Sequence, residues 1–220
     1  EVTKNNGELG ELLLFCFLEG HIDSPKILTK LELKTSNNLY VNGSDGVHLK
    51  KISDNKYQLI FCESKTIQDL NSAFSSAFKS INEFINEINN KGQNKSGINF
   101  EKGLISSNID SGVFEEDDEY ILNILLYPED NGKNNIILDD AFSIFIGYEI
   151  DIEQEQQQFN NDQFVIEIEN KIIKQIEGYQ TKIYEMIQRY QLIGYTFYVF
   201  IIPFTEIDKN RKKILKKVLD

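Results

Sequence analysis

Cysteine and histidine are both scarce in this chain, with two of each in 220 residues. Cys16 and Cys62 are too few for a disulfide framework, and their apolar settings predict buried, reduced thiols. Two His and two Cys also leave too few ligands to expect a zinc site. No stretch reaches the roughly 18 apolar residues that a membrane-spanning helix needs. The longest apolar run, Leu192 to Phe204, is interrupted by Gly194, Thr196 and Pro203. No charged segment followed by an apolar one opens the chain, so no signal peptide is read, and a cytoplasmic protein with no membrane partner is expected. The first residue is Glu1 rather than Met, which points to a trimmed or missing N-terminal segment. Positive charge is in deficit: 23 Lys and Arg stand against 35 Asp and Glu, a net charge of −12. A field of that sign argues against a protein that holds nucleic acid by its overall charge.

Aromatic residues are plentiful. Fifteen Phe and ten Tyr allow a sizeable core, and the length suits one large domain, here taken as residues 1–220. "GELGELLLFCFLEG", from Gly7, reads as a helix, with Leu9, Leu12, Leu13 and Phe17 close to a helical stripe and Gly20 ending it. "KILTKLELKT" (26–35) alternates and reads as a strand. "NLYVNGSDGVHLKKI" (38–52) reads as a second strand, bent around Gly43 and Gly46. "SDN" (53–55) is a turn signal, and "KYQLIFCESK" is the third strand. Ile67, Leu70, Phe74, Phe78, Ile81, Ile85 and Ile88 then recur at helical spacing in a long amphipathic helix.

Residues 91–97 read as a loop, and 98–118 carry no usable periodicity. "EYILNILLYPED" and "AFSIFIGYEIDI" read as strands, and the Gln-rich 153–162 as a low-complexity connector. A long helix over 163–191 follows, tolerating Gly178. "YTFYVFIIPF" reads as a strand buried on both faces. A basic terminal helix from Thr205 has a capping-box start. The order implies a mixed α/β layered domain.

The chemistry gathers at "LIFCESKT". Side chains alternate along a strand, so Glu63 and Lys65 share a face, with Cβ atoms ~6–7 Å apart. The preceding strand offers Asp45 between Gly43 and Gly46, and the first helix offers Glu8 and Glu11. Carboxylate oxygens in small number suit Mg²⁺, which keeps several waters. A metal there polarises a phosphodiester, and the lysine stabilises developing negative charge or orients the attacking water. An acid and a base two apart on a strand are more commonly a solvated ion pair. The apolar residues just before this pair, and the Gly-Ser-Asp-Gly ahead of it, distinguish this one.

A helix, three strands and a helix carrying Glu, Asp and Glu-x-Lys resemble the PD-(D/E)XK nuclease superfamily. "GELGELLL", "GSDGVHL", "LIFCESKT" and "YTFYVFIIPFTEIDKNRKKIL" further resemble the HamA family, the nuclease component of the Hachiman antiphage defence system. The resemblance implies a PD-(D/E)XK-like mixed central sheet flanked by helices. It also implies a metal-dependent DNA nuclease that uses Mg²⁺, or Mn²⁺ as a substitute, with a helicase-type partner. By the same resemblance Asp45 and Glu63 are metal ligands, Lys65 is the catalytic lysine, and Glu11 is the helix carboxylate, with Glu8 as its competitor. Ser44 stands where the superfamily pattern has proline.

Other constellations carry less. Ser44, Asp45 and His48 cannot form a hydrolase triad, because Asp45 and His48 face opposite sides of one strand. His48 reads as a surface histidine, with a contact to substrate as the alternative, and His21 as a partner of the first helix's C-terminus. "EEDDE" (115–119) reads as a solvated charge run. Lys209, Arg211, Lys212, Lys213, Lys216 and Lys217 make a basic stripe, either a solvated face or a contact to phosphates or a partner.

Overall fold

The computed structural model describes residues 7–29, 43–88, 91–94, 97–110 and 137–207, with Lys209 and Lys213. The five described strands, β1 (Lys26–Thr29), β2 (Gly46–Ser53), β3 (Lys56–Thr66), β4 (Ile137–Glu149) and β5 (Thr196–Phe204), form one sheet in the order β1-β2-β3-β4-β5. Pairing is antiparallel from β1 to β3 and parallel from β3 to β5. The described helices are α1 (Glu8–Gly20), α2 (Leu70–Asn86), α3 (Ile98–Asp110), α4 (Glu153–Gln158) and α5 (Asn161–Arg189). The molecule is therefore the mixed α/β sheet flanked by helices that the pattern predicts.

Local chemistry explains the element ends. Ser53 pairs with Lys56 across the two-residue Asp54-Asn55 turn, so the "SDN" signal closes the β2–β3 hairpin. Asp69 caps α2 by accepting the Ser72 N–H at 2.7 Å, a bond that satisfies a free helix-end donor. Glu87, in the left-handed region at φ 54°, ends that helix. Asn160 caps α5 the same way, accepting from the Gln163 N–H at 3.1 Å.

The sheet has two covered faces, and β3 contributes to both. Leu59 and Phe61 pack with Phe74, Phe78 and Phe84 of α2, and Tyr179 of α5 joins the same cluster. Ile60 and Cys62 point the other way and pack with Leu14 and Leu18 of α1 and Phe145 of β4. Each fully buried Leu, Ile or Phe of this kind contributes roughly 1.5–3 kcal/mol. The central strand is thus locked from both sides up to its C-terminal end.

Gly10 sets how closely α1 approaches. A Cβ built there would lie 2.1 Å from Ser64 Oγ and 2.9 Å from Thr66 Oγ1. Gly10→Ala is expected to cost about 1–3 kcal/mol through overpacking, read as a lower denaturation midpoint. Combining it with Ser64→Ala removes the nearest clashing atom and should recover most of that loss. Equal midpoints for the single and double variants would show that α1 does not depend on this contact.

Several expectations need correction. Cys62 is buried, but Cys16 is exposed, because α1 turns Leu14 and Leu18 inward and leaves Cys16 on its outer side. His48 is no surface histidine: it is 1 % exposed, and its Nδ1 lies 2.8 Å from the Ser24 carbonyl oxygen. Burial pulls its pKa down, which favours the neutral ring. β5 is half-buried rather than enclosed among the described residues, where it is the last strand in the sheet order.

Residues 153–158 form a helix rather than a connector. Asp151 accepts the Glu153 N–H, and Lys171 reaches both Glu155 and the Asp151 carbonyl. Residues 98–110 form α3, a segment that the apolar pattern alone leaves without an assigned element. The backbone N–H of His21 caps α1 by donating to the Phe17 carbonyl, a bond that does not involve the imidazole. The expected strand over 119–130, the "EEDDE" run and most of the basic terminal stretch lie outside the described residues, as do residues 30–42 of the first two expected strands.

Candidate active site

The C-terminal end of β3 carries Glu63 and Lys65 on the α2 face and Ser64 and Thr66 on the α1 face. Lys65 Nζ forms an ion pair with Glu63 Oε1. Ser80, from α2, adds a hydrogen bond to the Glu63 carboxyl. The pair is not the solvated kind: Glu63 is 9 % exposed.

Asp45 stands just ahead of β2, and its bonds bracket Glu63. Its N–H donates to the Cys62 carbonyl at 2.8 Å, and its Oδ2 accepts the Ser64 N–H at 2.8 Å. The two carboxylates are close enough to feel each other. Burial pushes the Glu63 pKa up, and the Asp45 charge pushes it further; Lys65 and Ser80 only partly offset this, leaving it at about 7. The Cys62 thiol is driven well above its usual range by burial, with Asp45, Glu101 and Glu63 adding to the effect. It is an inert core thiol set among three carboxyl groups.

Glu101 is the residue that sequence reasoning missed. It comes from α3, fully buried, and both its oxygens meet Ser44. Oε1 accepts the Ser44 N–H and Oε2 accepts the Ser44 Oγ–H, each at 2.6 Å. Burial outweighs those two bonds and raises its pKa to about 7. One signal was available: Ile98, Glu101 and Ile105 are spaced 3 and 4 apart, and all three are buried.

Glu8 and Glu11 occupy the first turn of α1. Glu8 is exposed and Glu11 half-buried, with Glu11 Oε1 3.1 Å from the Cβ position of Gly7. Gly10 seats this turn over Ser64 and Thr66. Glu11 is therefore at the same end of β3 as the acid–lysine pair, on a helix covering the other face of the sheet. Lys65 pairs with Glu63, and Asp45 lies near enough to both Glu63 and Glu101 for its charge to act on them.

Among the described residues, no three His, Cys, Asp or Glu side chains converge as a preformed metal cage. Mg²⁺ does not require one, since it is commonly held by one or two carboxylates and otherwise by water. Asp45 and Glu63 are two neighbouring carboxyl groups, one of them buried, whose mutual repulsion a bound divalent cation would relieve. The donor set fits a hard, oxygen-preferring ion. Among the described residues no helix is long and apolar enough to cross a membrane.

A five-stranded mixed sheet flanked by helices is a nuclease-like α/β fold. The HamA family model matches residues 1–218. The chain belongs to the HamA family, and with it to Hachiman antiphage defence, a system whose components work with partners. No curated protein matches the chain, and no solved structure does.

Proposed function

We propose that this protein is a Mg²⁺-dependent deoxyribonuclease, the effector of its defence system, acting with a helicase-type partner. The observation that carries the reading is the bracketing of Glu63 by the two Asp45 bonds, with Lys65 paired to the same carboxylate. Asp45 and Glu63 would hold Mg²⁺, with Mn²⁺ able to substitute. When bound, the metal supplies Lewis-acid polarisation of a phosphodiester and a more acidic water. Lys65 places a positive charge where the attacked phosphate gains negative charge, or orients the water that attacks it. Glu11 is the helix carboxylate of the set, with Glu8 in the same turn as its alternative.

The net charge of −12 then has a role. An acidic protein is a poor DNA binder on its own, and a helicase partner that delivers the strand removes the need for intrinsic affinity. Low free affinity also protects host DNA. The test is cleavage of DNA, with RNA as comparison, in Mg²⁺ or chelator, with and without the partner. Mg²⁺-dependent cutting of DNA that the partner strongly stimulates is expected. Intact DNA with metal and partner both present would end the nuclease reading, and robust unaided cutting would remove the delivery role.

The same charge favours a second reading, a non-catalytic nuclease-fold module for partner docking or sensing of DNA ends. Metal binding separates the two. Calorimetry with Mn²⁺ should show a site that Asp45→Ala weakens tenfold or more. A flat titration of the folded parent would favour the module.

A further inference from the structure

Glu101 has no part in the chemistry described so far, yet its burial is complete and its two contacts are short. A buried carboxyl group costs several kcal/mol unless its oxygens are satisfied. Both oxygens here are spent on one residue, Ser44, which lies 57 positions earlier in the chain. Ser44 is itself 5 % exposed, so its N–H has no ready substitute partner in water. Its neighbour is Asp45, whose N–H and Oδ2 both bond to the backbone of β3. The Ser44–Asp45 backbone is therefore gripped from two sides, by α3 through Ser44 and by β3 through Asp45.

We propose that Glu101 is a positioning residue of the metal site: its two hydrogen bonds to Ser44 fix the backbone that presents Asp45. This rests on the reading of Asp45 and Glu63 as metal ligands. With both oxygens engaged by Ser44, Glu101 acts through Asp45 rather than as a ligand. The geometry does not require a carboxylate as such. A glutamine at this position can accept the Ser44 N–H with its oxygen and donate its amide N–H to Ser44 Oγ, while the hydroxyl turns to the Gly46 carbonyl, already 3.1 Å away. An alanine can do neither.

The experiment is Mn²⁺ binding to the full chain by calorimetry, with folding followed by circular dichroism and thermal melting. Glu101→Ala should weaken Mn²⁺ about 10–100-fold, the usual range for residues that orient a ligand. Glu101→Gln should bind within about threefold of the parent. Ser44→Ala removes one of the two bonds from the other side and should weaken Mn²⁺ by a smaller factor; it serves as the deciding variant if Glu101→Ala does not fold. In an Asp45→Ala background, Glu101→Ala should add no further loss. A folded Glu101→Ala or Ser44→Ala protein that binds Mn²⁺ as tightly as the parent, in an assay where Asp45→Ala abolishes binding, overturns the positioning role and leaves the metal site standing. A parent protein that binds no Mn²⁺ overturns the metal site and the positioning role together.

Discussion

Replacing Lys65 with alanine is expected to reduce DNA cleavage about 10²–10³-fold, the range found when one fixed donor to a developing negative charge is removed. The fold should survive. Lys65 lies at the end of β3, beyond the buried run from Gln58 to Ser64, and its main partner is Glu63. Without the ammonium group, Glu63 need not remain a buried, uncompensated anion. Its pKa already stands at about 7 with the lysine present, and losing the counter-charge moves it further up. The carboxyl then takes a proton, and the site falls silent without unfolding. Gel filtration and circular dichroism establish the fold, and single-turnover cleavage in Mg²⁺ with the partner establishes the loss. A folded Lys65→Ala protein that cuts as fast as the parent would remove this lysine from the reaction.

The second large effect is on stability. Glu63 and Glu101 have pKa values raised from 4.5 to about 7 in the folded protein, burial being the main cause for each. The folded state therefore binds more protons than the unfolded chain between those values. The stabilisation linked to these protons is complete below about pH 4.5 and is lost as pH rises through about 7. For Glu101 the rise corresponds to a factor of about 300 in proton affinity, about 3 kcal/mol. In chelator, the denaturation midpoint should fall between pH 5 and pH 8. Glu101→Gln should flatten that fall, because an amide does not titrate. Mg²⁺ should oppose it at the alkaline end, since ligand carboxylates bind metal in the deprotonated form. A chelated parent whose midpoint is level or rising over this window would refute the linkage.

Much of the site was legible because a strand's geometry is simple. A period of two puts Glu63 and Lys65 on one face whatever surrounds them, and the apolar residues ahead of them mark a strand with both faces covered. Asp45 was legible from its glycine-flanked place before β2. Glu101 was not, because a buried acid looks like a surface residue in a hydrophobic pattern. It stands in the buried stripe of α3 between Ile98 and Ile105, where it bonds Ser44. His48 misled in the same way, as a polar residue that a hydrogen bond with the Ser24 carbonyl and packing against Phe15 allow inside.

The sequence alone determined the strand periods, the β2–β3 turn and the shared face of Glu63 and Lys65. These depend on residues close in the chain, where backbone geometry dictates who faces whom. Tertiary structure decided the rest: that Asp45 bonds on either side of Glu63, that Gly10 admits α1 onto Ser64, and that Glu101 reaches Ser44 across 57 residues. Such contacts arise from packing between distant segments, and their electrostatic consequence comes from burial, which exists only once the chain has folded.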